Sequence, residues 1–141
     1  MTAYVIDTNV ISELARPSPH SSVIAFLNNS SNVYVSAIVF HEIAYGIERM
    51  ADDVRKARLL TFADMFKARF VGRILPVNTP VAETGGRMRA VAARKGRVLS
   101  PLDSLIAATA MMQGATLATR NIKDFEYLGI ELLDPWQDRE H

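Results

Sequence analysis

Five short apolar runs, none longer than five residues, alternate along the chain with stretches that carry helix-start signals. They are residues 3–6, 33–35, 74–77, 115–119 and 130–133, and no Asn-Gly or Asp-Gly hairpin turn joins any two of them. Strands that pair without hairpins need crossovers, and helical crossovers give a parallel sheet covered on both faces. The expected fold class is therefore α/β: a three-layer α/β/α domain with a short, mainly parallel five-stranded sheet.

The intervening stretches supply the helices. Asn9–Ala15 reads as a helical turn or two that Pro17 and Pro19 break. Ser21 or Ser22 is placed to cap a short helix through Leu27, and Ser36 to cap one running to about Met50. Residues 52–70 carry a helical stripe at Leu59, Phe62, Ala63, Phe66 and Phe70. Thr79, with Pro80 at the first position, predicts a helix with Val81, Gly85, Met88 and Ala92 on its apolar side and Gly96 as its stop. Gly85-Gly86 inside it reads as a close-packing site. Ser100 and Pro101 repeat the start signal, and Gly114 ends that helix.

At 141 residues the chain has room for one core, so a single domain over residues 1–141 is expected. A domain of this size buries about 68–70% of its unfolded surface and requires no disulfide or metal staple. The absence of cysteine removes disulfide scaffolds, thiol nucleophiles and zinc ribbons together. The first residues show no basic-then-apolar leader, and the longest apolar stretch, Leu105–Met112, is far short of the ~20 residues of a membrane span. A soluble protein without a membrane partner is expected.

Ligands of open parallel sheets bind beyond the carboxyl ends of the strands. Asp7 follows the first run directly, and Asp124 lies just after the fourth. Glu42 sits within the helix that leaves the second run, and Asp103 lies in the first turn of the Ser100 helix. Local roles exist for three of them: Asp7 as a helix cap, and Ser100–Asp103 and Asn121–Asp124 as capping boxes. Glu42, by contrast, has Ile38, Tyr45 and Gly46 on its own side, and Asp103 has Ile106, Ala107 and Ala110, so both project from faces that read as buried. A carboxylate on such a face, with no base nearby in the pattern, needs a partner from elsewhere.

Two carboxylates ~5 Å apart repel by roughly 3 kcal/mol at an effective dielectric of ~20. Four together keep protons or recruit a cation. Oxygen-only donors with no Cys and no clustered His select Mg²⁺ or Mn²⁺ over zinc. Such an ion binds a phosphate oxygen, acidifies a water and clamps an in-line displacement, which points to phosphodiester hydrolysis. Competing chemistries lack their parts. His41-Glu42 is not a zinc-protease motif, because Tyr45 stands where the second His belongs. No glycine-rich phosphate loop is present, and Ser36, Thr8 and Thr119 have no His companion for a nucleophile triad.

With those acids placed, the chain resembles the PIN-domain ribonucleases of the VapC toxin type. The similarity spans nearly the whole chain and rests on four blocks in order: residues 5–13 (VIDTNVISE), Val35-Ser36 with Glu42, residues 102–110 (LDSLIAATA) and residues 117–125 (LATRNIKDF). The ending Leu132-Leu133-Asp134-Pro135-Trp136 is similar to the FitB-like branch. The resemblance implies an endoribonuclease, the toxin component of a type II toxin–antitoxin module, working at an acidic Mg²⁺ site of Asp7, Glu42, Asp103 and Asp124, with Mn²⁺ as a substitute. Asp7 and Asp103 would be the most direct ligands. Glu42 would act through water, and Asp124 would complete the cluster. Thr119, Asn121 and Asn9 match supporting polar positions. The resemblance further implies a cytoplasmic homodimer, an RNA substrate and a cognate antitoxin through which DNA is contacted only indirectly. The apolar Phe62–Phe70 region and the early helices are candidates for the antitoxin contact or for the core.

Two other readings remain open. Another Mg²⁺-dependent phosphohydrolase would suit the sheet, although a haloacid-dehalogenase-type phosphatase wants an Asp where Asn9 stands. A non-catalytic nucleic-acid or partner-binding module is the second, and retention of all four acids disfavours it. The net charge of +1 hides a segregation relevant to each. Residues 49–97 hold twelve basic and four acidic residues, a local +8, and the remainder carries −7. The positive share includes Arg87, Arg89, Arg94 and Lys95 off the apolar stripe, the candidates for contact with an RNA backbone.

Overall fold

The computed structural model describes residues 2–137. Val5 and Ile6, Val33 and Val35, and Leu117 and Ala118 are all buried, as strands covered on both faces require. They form the centre of a five-stranded sheet made of β1 (Tyr4–Ile6), β2 (Val33–Ser36), β3 (Ile74–Leu75), β4 (Thr116–Ala118) and β5 (Leu132–Leu133). Its order is β3-β2-β1-β4-β5, and every neighbouring pair is parallel. Tyr4 and Val5 of β1 face Val33 and Tyr34 on one side and Thr116 and Leu117 on the other.

Among the described residues, seven helices join the strands: α1 (Thr8–Leu14), α2 (Ser21–Asn29), α3 (Ile38–Glu48), α4 (Val54–Arg69), α5 (Thr79–Arg94), α6 (Pro101–Gln113) and α7 (Ile122–Phe125). Right-handed crossovers send α1–α4 to one face and α5–α7 to the other, because the strand order reverses at β1. α1 touches α2 and α3, α3 touches α4, and α6 lies against β1, β2 and β4 with α5 alongside it; α3 also meets α6. No helix among the described residues is long and apolar enough to cross a membrane.

The helix ends follow the expected signals in part. Ser100 Oγ accepts the Asp103 amide at 3.1 Å, with Pro101 at the first position, and Gly114 closes α6 at φ +66°. Three caps differ. Asn78, not Thr79, caps α5, because its Oδ1 reaches the Val81 amide at 3.2 Å. His20, not Ser21 or Ser22, caps α2, its Nδ1 accepting from the Ser22 amide at 3.1 Å. The Asn121 side chain makes no capping bond to α7; the Asn121 amide instead donates to Thr119 Oγ1 at 3.0 Å. Ser36 sits at the strand end, one residue before the α3 cap position, and still accepts the Ile38 amide at 3.3 Å.

The stripe on α4 resolves into two roles. Phe66 and Phe70 are buried with ring centroids 4.6 Å apart, while Phe62 is only half-buried. Of the glycine pair on α5, Gly85 alone is a packing site. A Cβ there would stand 3.2 Å from Leu105 Cδ2 and 3.3 Å from Ser104 Oγ, whereas Gly86 faces open space.

Candidate active site

The reversal of strand order between β1 and β4 opens a crevice at their carboxyl ends. Asp7 stands at the end of β1 and caps α1, its Oδ1 accepting the Val10 amide at 3.1 Å. Thr119, fully buried at the end of β4, donates its hydroxyl to Asp7 Oδ2 at 2.5 Å. The same Thr119 oxygen accepts from the Asn121 amide, so Asn121 supports the site through its backbone. Asn9 likewise acts on Asp7 through its backbone N–H.

Burial pushes the Asp7 carboxyl above its usual range, the Thr119 and Val10 bonds oppose that rise, and the charge of Asp103 adds to it. Burial also raises Asp103; a hydrogen bond from Ser100 offsets this and the charge of Asp124 reinforces it. Asp7, Asp103 and Asp124 therefore form a chain of mutually repelling acids, with Asp103 in the middle. Asp124 itself is exposed on α7.

Glu42 lies elsewhere on this edge. It is half-buried on α3 and faces a cavity of ≈ 360 Å³ together with Thr8, Gly46, Arg55, Arg58 and Phe62. Its side of α3 is less buried than the sequence suggests, because Tyr45 is 59% exposed. Thr8 joins this cavity to the Asp7 end of the crevice, and its buried Oγ1 has no hydrogen-bond partner among the described residues. Among the described residues no three of His, Asp or Glu stand close enough to hold a metal ion, so the four acids share an edge without closing into a cluster.

The donor set nevertheless suits a hard divalent ion. Burial first, and a neighbouring acid second, raise both the Asp7 and Asp103 carboxyls, a cost that a bound cation would offset. The ion pairs among the described residues, Arg16–Glu13 and Lys56–Asp52, leave these acids without a basic partner. Ionised carboxylates and hydroxyls with no sulfur donor are what Mg²⁺ or Mn²⁺ binds.

The basic residues divide. Arg89 is tied to the loop before α6, its Nε donating to the Leu99 carbonyl at 3.2 Å, and Lys95 lies 5.9 Å from the Tyr127 ring centroid. Arg94 is exposed at the end of α5, and Arg87 bonds Thr84 on its own helix at 3.3 Å. Three more cations come from the same basic segment, residues 49–97. Arg55 and Arg58 of α4 line the Glu42 cavity, and Arg97 clamps the 95–100 loop to α7 by donating to the Lys123 carbonyl at 3.1 Å. Their only signal in the sequence is position off the apolar stripe, which ordinary solvated lysines and arginines share.

Comparison with known proteins agrees with this architecture. The PIN domain family model matches residues 4–130. The chain is 35% identical to Toxin FitB of Neisseria gonorrhoeae, over 95% of this chain and 99% of that one. It is 32% identical to VapC ribonuclease Y4jK of Sinorhizobium fredii, over 94% and 97%. It is 30% identical to the tRNA(fMet)-specific endonuclease VapC of Salmonella typhimurium, over 95% and 98%. Among solved structures, FitAcB from Neisseria gonorrhoeae superposes with a TM-score of 0.85 at 34% identity, covering 94% of this chain and 98% of its own. DNA-bound VapBC from Salmonella typhimurium gives 0.82 at 30%, covering 96% and 99%. Sequence, sheet order and these likenesses agree: the chain belongs to the PIN-domain family, among its VapC-type ribonuclease toxins of toxin–antitoxin systems.

Proposed function

We propose that the protein is a metal-dependent endoribonuclease, the toxin of a type II toxin–antitoxin module, cutting RNA at Asp7, Glu42, Asp103 and Asp124. The observation that carries this reading is the placement of Asp7 at the strand-order reversal, bonded to Thr119, with Asp103 and then Asp124 close enough to repel in turn and no ion pair to any of the three among the described residues. Nucleases of this family depend in general on divalent metal ions. Mg²⁺, or Mn²⁺ in its place, is the ion that the oxygen donors favour.

Asp7 and Asp103 are the ligands in this reading, each held by hydrogen bonds from its own helix start: Val10 and Asn9 amides for Asp7, Ser100 for Asp103. Asp124 extends the negative field toward solvent. Glu42, on the cavity side, accepts the proton of the attacking water at its carboxylate. Thr119 fixes the orientation of Asp7, and Asn121 fixes Thr119. A divalent ion bound there supplies polarisation of the scissile phosphate and a more acidic water. Arg87, Arg89, Arg94 and Lys95, on α5 and at its end, serve the RNA backbone in the same reading.

The cavity beside Glu42 is the seat proposed for the antitoxin. Its walls combine apolar Ile11, Leu59 and Phe62 with Arg55 and Arg58. Phe66 and Phe70 belong to the core and are not available for that contact. The protein is proposed to act as a single domain over residues 1–141, as a cytoplasmic homodimer, and to reach DNA only through its antitoxin.

Incubation of the purified protein with total RNA tests this function. Cleavage is expected with Mg²⁺ or Mn²⁺, not with Ca²⁺, and is expected to stop in EDTA. Asp103→Asn is expected to be slower by at least ~100-fold, the scale of losing a key charge-stabilising group. Equal cleavage by wild type and Asp103→Asn would sink the proposal. RNA binding without cleavage would favour the non-catalytic module, and hydrolysis of phosphate monoesters alone would favour the phosphohydrolase.

A further inference from the structure

A second cavity, ≈ 440 Å³, opens beside the crevice between the outer side of α1 and the segment after β5. Its walls are Asn9, Ser12, Glu13, Arg16, Arg120 and Trp136. Its volume is within the ~300–1,000 Å³ range of small-molecule and cofactor sites. Two of its walls begin next to the acids. Asn9 is two residues from Asp7, and Arg120 follows Thr119, the residue bonded to Asp7.

The charges in this cavity are unequally committed. Glu13, 6% exposed, takes the Arg16 guanidinium at 3.2 Å, the His20 amide at 2.9 Å and the Trp136 indole N–H, so its carboxylate is fully engaged. Those bonds hold the half-buried Trp136 in place, and its ring faces Arg120, whose guanidinium carbon is 5.2 Å from the centroid. Arg120 is exposed and makes no ion pair among the described residues. A guanidinium laid over an anchored indole, with no ion pair of its own among the described residues, presents both a planar stacking surface and a positive charge. Phosphate beside a base is the chemistry that takes both at once.

We infer that the Arg120–Trp136 pair is a subsite for the nucleotide flanking the scissile phosphate, Arg120 holding that nucleotide's phosphate and the pair stacking its base. The inference rests on the ribonuclease reading above. It adds a specificity element outside the four acids and outside α5, and it assigns Glu13 as the positioning residue that fixes the indole.

Binding and cleavage, measured separately, distinguish the two claims. Single-stranded RNA labelled with a fluorophore is titrated into Asp7→Asn, which keeps the pocket and removes turnover, with and without Arg120→Ala. The added substitution is expected to weaken binding roughly tenfold. In the active protein Arg120→Ala is expected to raise KM by a similar factor while kcat changes little. Trp136→Phe, which keeps an aromatic ring and loses the indole N–H, should bind RNA far better than Trp136→Ala, and Arg120→Ala serves if the alanine variant at 136 does not fold. Unchanged RNA affinity and KM in Arg120→Ala overturn the subsite. A wild type that binds RNA through Arg120 but never cleaves it overturns the ribonuclease reading and leaves Arg120–Trp136 as an RNA-binding site without a scissile phosphate.

Discussion

The hydroxyl of Thr119 donates to Oδ2 of Asp7 at 2.5 Å, joining two residues 112 positions apart across the strand-order reversal. That bond opposes the rise in the Asp7 pKa caused by burial. A hydrogen bond to a charged group is worth about 1.5–3 kcal/mol. Thr119→Val removes the donor at nearly constant volume, so the Asp7 carboxyl should move further up. The acid limb of any activity that needs ionised Asp7 should therefore shift to higher pH. Thr119→Ser should reverse that shift. A pH profile unchanged in Thr119→Val shows that Asp7 is not the titrating group.

Asp7 and Asp103 also make stability depend on pH in a fixed direction. A carboxyl raised by folding binds its proton more tightly in the native state. Its stabilising contribution is complete below the ordinary value of 3.8 and is lost as pH rises through the folded value. At pH 7 in chelator both acids therefore carry a penalty. Asp7→Asn should melt higher than wild type there, and the gap should narrow as pH falls toward about 4. A lower melting temperature for Asp7→Asn at pH 7 would show that its capping and Thr119 bonds outweigh the cost of burying its charge beside Asp103.

The glycine pair on α5 separates helix propensity from packing. Gly86→Ala enters open space on an exposed helical surface and should stabilise by about 0.5–1 kcal/mol. Gly85→Ala makes the same propensity gain, but its Cβ meets Leu105 and Ser104 at 3.2–3.3 Å. Denaturant midpoints should therefore rank Gly86→Ala above Gly85→Ala. The reverse order contradicts the close approach of α5 to α6.

Much of this architecture is legible in the residues because each strand and helix carries its own local signal. The apolar runs at 3–6, 33–35 and 115–119 contain buried strands, and Ser100-Pro101 with Gly114 bound α6 at both ends. Caps were harder to read where several polar residues adjoin: in His20-Ser21-Ser22 and Asn78-Thr79 the residue whose acceptor reaches the amide depends on backbone geometry that composition does not encode. Glu42 shows the same limit. Its apolar neighbours suggested burial, but Tyr45 points outward and the face borders a cavity. The Glu13–Trp136 bond joins residues 123 positions apart in the sequence, and nothing in either local pattern announces it.

The central claim is that Asp7 and Asp103 hold a divalent ion at the edge of the sheet, in the field of Asp124. Calorimetric titration of Mn²⁺ into wild type, Asp7→Asn and Asp103→Asn, each shown to be folded, measures it without any RNA. Saturable binding by wild type that is lost or at least ~10-fold weaker in both variants is the expected result. Binding of equal affinity and stoichiometry in all three would contradict the account.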